Sequence, residues 1–144
     1  MTENLLQQAA LPERCVIVVD RALSVGKAAN AAAVLALTVG QRHPGLVGAA
    51  LVDGSGQSHP GLIPIGITVL AASQQELSLI QSKGRAAACD IVIFPVPGQQ
   101  STDYVAFRAA VAGLPESALQ YIGLALVGDR KPISKIVASL GLLK

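Results

Sequence analysis

The sequence predicts a three-layer α/β/α domain built on a mixed four-stranded sheet, and three observations carry that expectation. Short aliphatic runs, above all Cys15-Val-Ile-Val-Val19, are bounded by charge and show no polar alternation, as strands covered on both faces do. Segments with helical signals stand between these runs: an Ala-rich stretch, a capping box, and apolar residues at three- and four-residue spacing near the end. Composition agrees, because 51% of residues are hydrophobic while only 3% are aromatic, which suits close packing of helices on a sheet.

The elements follow in order. Residues 1–13 carry a weak helical pattern ending at Pro12 and read as an N-terminal arm; a single domain over 14–144 follows. The first central strand covers 15–19. The loop 21–25 leads into a helix over 26–40, with Ser24 in position to cap it. Between 41 and 61 the His43-Pro-Gly, Asp53-Gly-Ser-Gly and His59-Pro-Gly stretches mark three turns, the second able to close a hairpin. A second main strand is expected over 62–70, with Pro64 and Gly66 weakening its first half.

Ser73-Gln-Gln-Glu76 then opens a helix that runs to about residue 85, since the Ser oxygen and the Glu carboxylate can each satisfy a free amide at its start. A third strand, fully covered, is expected over 89–94. A helix over 101–113 follows, capped by Ser101 or Thr102, and a fourth strand over 119–127 surrounds Gly123. The last helix starts near Pro132 and turns Ile133, Ile136, Val137 and Leu140 to the core.

Charge and composition exclude several functions. A net charge of +2 lies well below what counterion release asks of a nucleic-acid binder, so RNA receives little support. The apolar run over 28–39 is too short to span a bilayer and 1–11 lacks the features of a signal peptide, which points to the cytoplasm. Cys15 and Cys89 stand alone, without ligand spacing to a His, so no metal and no cofactor is expected and both thiols should be free. Charged residues make up only 14%, lean for a monomer's surface, and a homodimer is expected. No GxSxG, HExxH, P-loop or GxGxxG motif occurs.

Two stretches resemble a known family. Residues 20–33, Asp-Arg-Ala-Leu-Ser-Val-Gly-Lys-Ala-Ala-Asn-Ala-Ala-Ala, are similar to the segment after the first strand of type II peptidyl-tRNA hydrolases. Residues 123–144, from Gly-Leu-Ala-Leu through Asp129-Arg-Lys-Pro to the closing Leu-Leu-Lys, resemble that family's last strand, phosphate-side loop and final helix. More closely, 15–144 resembles a bacterial family catalogued as a domain of unknown function that shares the hydrolase fold, through Val25-Gly-Lys-Ala-Ala-Asn-Ala31, Gly123-Leu-Ala-Leu126 and Arg130-Lys131.

The resemblance implies a peptidyl-tRNA hydrolase II-like fold, and the departures from it bear on activity. The position of the hydrolase's helix-start Lys falls on Gly26, with Lys27 one residue along. The region 111–120 lacks the Asp and Thr that the hydrolase carries there. A non-catalytic binding or regulatory module is therefore expected, holding a small anionic ligand between the first loop (Asp20, Gly26, Lys27, Asn30) and the turn Asp129, Arg130, Lys131.

Each of these residues also has a plain reading: Lys27 as a solvated cation, Asn30 as a structural hydrogen bonder, Asp129 as a helix cap. The alternative function is a divergent hydrolase of an acyl ester or amide such as peptidyl-tRNA. Lys27, Asp53 and His59 are then the catalytic candidates, the last two being the pair able to supply acid and base.

Overall fold

The computed structural model describes residues 11–97 and 103–144. Most of the expected N-terminal arm, and the expected caps Ser101 and Thr102, lie outside the described residues. Strand β1 (Arg14–Asp20) leads to helix α1 (Val25–Arg42), then to a small hairpin of β2 (Leu51–Val52) and β3 (Ser58–His59). Strand β4 (Thr68–Ala72), helix α2 (Gln74–Ala86) and strand β5 (Asp90–Pro95) follow. Helix α3 (Tyr104–Ala112), strand β6 (Tyr121–Gly128), helix α4 (Arg130–Ile136) and strand β7 (Gly141–Leu142) complete the described chain.

The main sheet runs β5-β6-β1-β4-β7. Only β1 and β4 pair in parallel; β1 with β6, β5 with β6 and β4 with β7 are antiparallel, so the sheet is mixed as expected. It has five strands among the described residues rather than four, because the residues after α4 return along β4 and add β7. Successive residues of a strand point to opposite faces, and both faces of β1 are covered. Val16 and Val18 pack with Leu77 and Ile80 of α2 and with Ile133 and Val137 at α4. Cys15, Ile17 and Val19 pack with Ala28, Ala31, Leu35 and Val39 of α1. Small Ala side chains at 28 and 31 let the α1 backbone lie close to the sheet.

Several expectations are corrected in detail. The second main strand begins only at Thr68, because Pro64 has no N–H to give a ladder and Gly66 has φ of 72°, outside strand geometry. Strand β5 is half-buried and ends the sheet, so its apolar run reflects an edge and not a fully covered strand. Asp103 caps α3, its carboxylate accepting from the Ala106 N–H at 2.7 Å. The capping box at α2 forms as expected, with Ser73 and Glu76 exchanging both bonds. Ser24 and Asp129 occupy N-cap positions without bonding the helix through their side chains. None of the described helices is long and apolar enough to cross a membrane.

The largest correction concerns the rims of the sheet. Because β1 and β6 are antiparallel, with Arg14 opposite Gly128 and Val19 opposite Gly123, the loop after β1 and the turn after β6 leave at opposite ends. Seven residues of strand at ~3.3 Å each separate them by roughly 20 Å. The pocket expected between the two loops does not form.

Candidate functional site

At the first rim, Asp20 is occupied structurally. Its Oδ1 accepts from the Ala22 N–H at 2.9 Å and its Oδ2 from the Gln74 side-chain amide at 2.9 Å. Gly26, Lys27 and Asn30 lie exposed on the first turns of α1, and neither Lys27 nor Asn30 is bonded to any described side chain. At the second rim, Asp129, Arg130 and Lys131 border a hollow of about 500 Å³ with Glu13 and Pro132. The Glu13 carboxylate accepts from the Arg130 N–H at 3.2 Å, the service Asp129 was expected to give. Two carboxylates face two cations there, so the hollow has no net preference for an anion, and Lys27 is on the far rim.

The hydrolytic candidates divide in the same way. Asp53 and His59 do meet, Oδ2 to Nε2 at 2.8 Å, across the β2–β3 hairpin. Asp53 Oδ1 also accepts from the N–H groups of Ser55 and Gln57, at 2.8 and 3.0 Å, which closes the turn. These bonds, the one from His59 first, hold the Asp53 carboxyl below the usual carboxylate range. Both side chains are exposed, and Lys27 stands in the first turn of α1 while the hairpin follows its last.

A second cluster has no counterpart in the sequence reading. Asp90, at the start of β5, accepts from Arg42 Nε at 2.8 Å and Nη2 at 2.7 Å, and lies 2.6 Å from His43 Nε2. It fastens the end of α1 to the sheet. The Arg42 bonds hold the Asp90 carboxyl below its ordinary range, burial opposing them and His43 adding to them. A carboxyl lowered by folding contributes stability above its unfolded pKa of about 3.9, and that stability is lost as pH falls through the folded value. Asp90→Asn is expected to cost on the order of 1 kcal/mol at pH 7, kept small by the exposure of Arg42. In urea titrations the gap to the parent should close below about pH 4; a gap unchanged down to pH 2 would refute the ionic account.

The feature with the makings of a binding site is a cleft of about 460 Å³ between α2, the edge strand β5 and residues 111–121. Ile91, Ile93, Leu114 and Leu119 give it apolar walls. Two polar side chains reach it from the interior: Tyr121 is 2% exposed and Gln81 is 6% exposed. Gln81 Nε2 donates to Glu116 Oε1 at 3.1 Å, and Arg85 donates to Glu116 Oε2 at 2.9 Å. The Tyr121 hydroxyl and Gln81 Oε1 make no hydrogen bond among the described residues. No fully enclosed side-chain N or O there lacks a partner, so both atoms keep access to solvent, and the cleft their residues line provides it.

Burial pushes the Tyr121 phenol up, Glu116 adding to the effect and Arg85 opposing it, so at neutral pH it is a hydrogen-bonding hydroxyl. Burial likewise raises the Cys89 thiol at the cleft wall, which disfavours the nucleophilic thiolate. Among the described residues no three His, Cys, Asp or Glu side chains converge on a point where a metal could sit. The sequence reading passed over Gln81 and Tyr121, and the one signal available was a Gln on the apolar side of a helix otherwise faced by Leu77 and Ile80.

Comparison with known proteins places this fold. A solved structure of a protein of unknown function from Agrobacterium tumefaciens strain C58 superposes with a TM-score of 0.82 at 21% sequence identity, covering 90% of this chain and 96% of that one. That likeness is one of fold. No curated protein matches the chain. The model of the family described as "Protein of unknown function (DUF2000)" matches residues 13–144, and the chain belongs to that family.

Proposed function

We propose that the protein is a binding module for a small, neutral, amphiphilic molecule held in the cleft between α2 and β5, on a fold akin to peptidyl-tRNA hydrolase II. The kinship rests on the resemblance of 20–33 and 123–144 and on a mixed sheet with helices on both faces. One observation carries the binding reading: two polar side chains more than nine-tenths buried line a cleft of ligand-binding size, and each has an atom without a hydrogen-bond partner among the described residues. Both atoms stay open to solvent through the cleft, so a molecule that bonds them replaces water there while its apolar part covers Ile91, Ile93, Leu114 and Leu119.

Chemistry narrows the ligand. Gln81 Oε1 needs a donor, and the Tyr121 hydroxyl takes either role, which a primary amide or a hydroxyl head group can serve. Arg85 and Glu116 neutralise each other at the mouth, and the cations expected to hold an anion, Lys27, Arg130 and Lys131, do not line the cleft. A neutral head on an apolar body of a few carbons fits better than the anion expected from the sequence.

The test is a titration with hexanamide and, in parallel, hexanoate, followed by the Gln81 side-chain amide resonances. Hexanamide should bind and shift them, and Tyr121→Phe should weaken it by about tenfold without lowering thermal stability, since the hydroxyl has no partner among the described residues. Equal binding of hexanoate, or affinity indifferent to Tyr121→Phe, would reject the reading. The 2.8 Å contact of His59 and Asp53 favours one rival, an acyl hydrolase. Turnover of N-blocked aminoacyl-tRNA that is abolished by His59→Ala would put that rival in place of the binding module.

A further inference from the structure

Within the binding reading proposed above, on which this rests, we infer that Glu116 is the specificity-determining residue of the cleft between α2 and β5. It keeps the Gln81 oxygen free for a ligand donor and occupies Arg85, so that an amide or alcohol is admitted and the matching carboxylate is refused. Among the described residues that line the cleft, Arg85 and Glu116 are the only charged ones, so its charge balance depends on this pair.

Glu116 acts on two neighbours through different oxygens. Its Oε1 accepts from Gln81 Nε2 at 3.1 Å, and its Oε2 accepts from Arg85 Nη1 at 2.9 Å. A carboxylate paired with a guanidinium only accepts, so Gln81 has to give it the NH2 end of its amide, and the carbonyl end of that planar group then points away from Glu116. Gln81 is 6% exposed and stands on the buried side of α2 with Leu77 and Ile80, which leaves its side chain little room for another arrangement. Its Oε1 has no hydrogen-bond partner among the described residues. The position left for a ligand at Gln81 is therefore a donor's, which a primary amide or a hydroxyl fills and a carboxylate does not.

The same two bonds have the form of a bound anion. A guanidinium and an amide NH2 that hold the two oxygens of one carboxylate are what a carboxylate ligand would need, and the chain's own carboxylate has taken them. No residue from Asp103 to Ala118 is buried, and the side-chain bonds that join this stretch to α2 among the described residues are the two made by Glu116. Arg85 and Glu116 are both more than half exposed, so their pairing contributes little to folding. Its consequence is for the charge a ligand meets at the mouth.

The test is a titration with hexanamide and another with hexanoate, each run on the parent, on Glu116→Gln and on the double variant Arg85→Gln/Glu116→Gln, and followed at the Gln81 side-chain amide. Glu116→Gln keeps the shape and removes one charge, and thermal unfolding should barely move. It leaves Arg85 an unopposed cation, and the new side chain donates as well as accepts, so Gln81 is no longer held with its oxygen free. The ratio of hexanamide to hexanoate affinity should fall at least about tenfold. In the double variant hexanoate affinity should return to that of the parent. A ratio unchanged by Glu116→Gln, or a gain for hexanoate that survives the loss of Arg85, would overturn the role of Glu116; where the parent still binds hexanamide, the binding module itself stands. A parent that binds neither molecule, beside a Glu116→Gln variant that takes hexanoate through Arg85, removes the neutral ligand and keeps Glu116 as the group that excludes anions. Failure of all three proteins to bind either molecule rejects both.

Discussion

Gly123→Val is expected to remove more than ~3 kcal/mol of folding stability, enough to unfold much of a domain whose total is of order 5–15 kcal/mol. Gly123 sits inside β6 between β1 and β5. A Cβ built there lies 2.8 Å from the Val18 carbonyl oxygen, 3.2 Å from Leu35 Cδ1 and 3.3 Å from Val19 Cγ1. The first of these is backbone in the central strand, so it cannot swing aside as a side chain would, and the β1–β6 ladder has to open. Gly123→Ala presents the same Cβ with less bulk and should cost about 1–3 kcal/mol. Gly40→Ala is the control: that Cβ meets nothing within 4 Å, and in α1 the change should stabilise by about 0.5–1 kcal/mol. Urea unfolding at pH 7 reads all three. A Gly123→Ala domain as stable as the parent would show that the two strands are less tightly held than their spacing says.

The elements legible in the sequence were those whose signals are local. The β-branched run of β1, the Ala-rich α1, the Ser73–Glu76 box and the turn chemistry of Asp53-Gly54-Ser55-Gly56 each lie within a few residues, and each formed as read. Strand direction is not local. The sequence announces a strand around Gly123 but not that it runs against β1, and that single fact sends Asp129, Arg130 and Lys131 to the rim opposite Lys27. Polar contacts divide likewise. Asp53 and His59, six residues apart, were named together and meet at 2.8 Å. His43 and Asp90 are 47 residues apart and meet at 2.6 Å, and only the packing of α1 beside β5 brings them together. The edge position of β5 was hidden for a related reason: an apolar run reads alike at the edge of a sheet and between two strands.

Gln74→Ala is expected to cost about 2–4 kcal/mol, although Gln74 is a half-buried polar residue in the first turn of α2. Strand β1 ends at Asp20, one residue too soon to pair with Tyr121 at the start of β6. The Gln74 side chain takes the place of the missing residue: Oε1 accepts from the Tyr121 N–H at 2.9 Å while Nε2 donates to the Tyr121 carbonyl. The same Nε2 donates to Asp20 Oδ2. Deleting this amide leaves an N–H and a carbonyl of a residue 2% exposed without partners, and removes one of the two bonds to the Asp20 carboxylate. Gln74→Glu sharpens the test, since the shape is kept but the donor is lost and a second negative charge is set beside Asp20. Repulsion raises the folded pKa of the introduced carboxyl, so its penalty is full above that value and fades as pH falls and the proton returns as a donor. Gln74→Ala should show no such recovery. Because Gln74 anchors the backbone of Tyr121, which lines the cleft, Gln74→Ala should also weaken hexanamide binding while touching no ligand atom. Unchanged stability in Gln74→Ala would mean that Tyr121 finds its partners elsewhere.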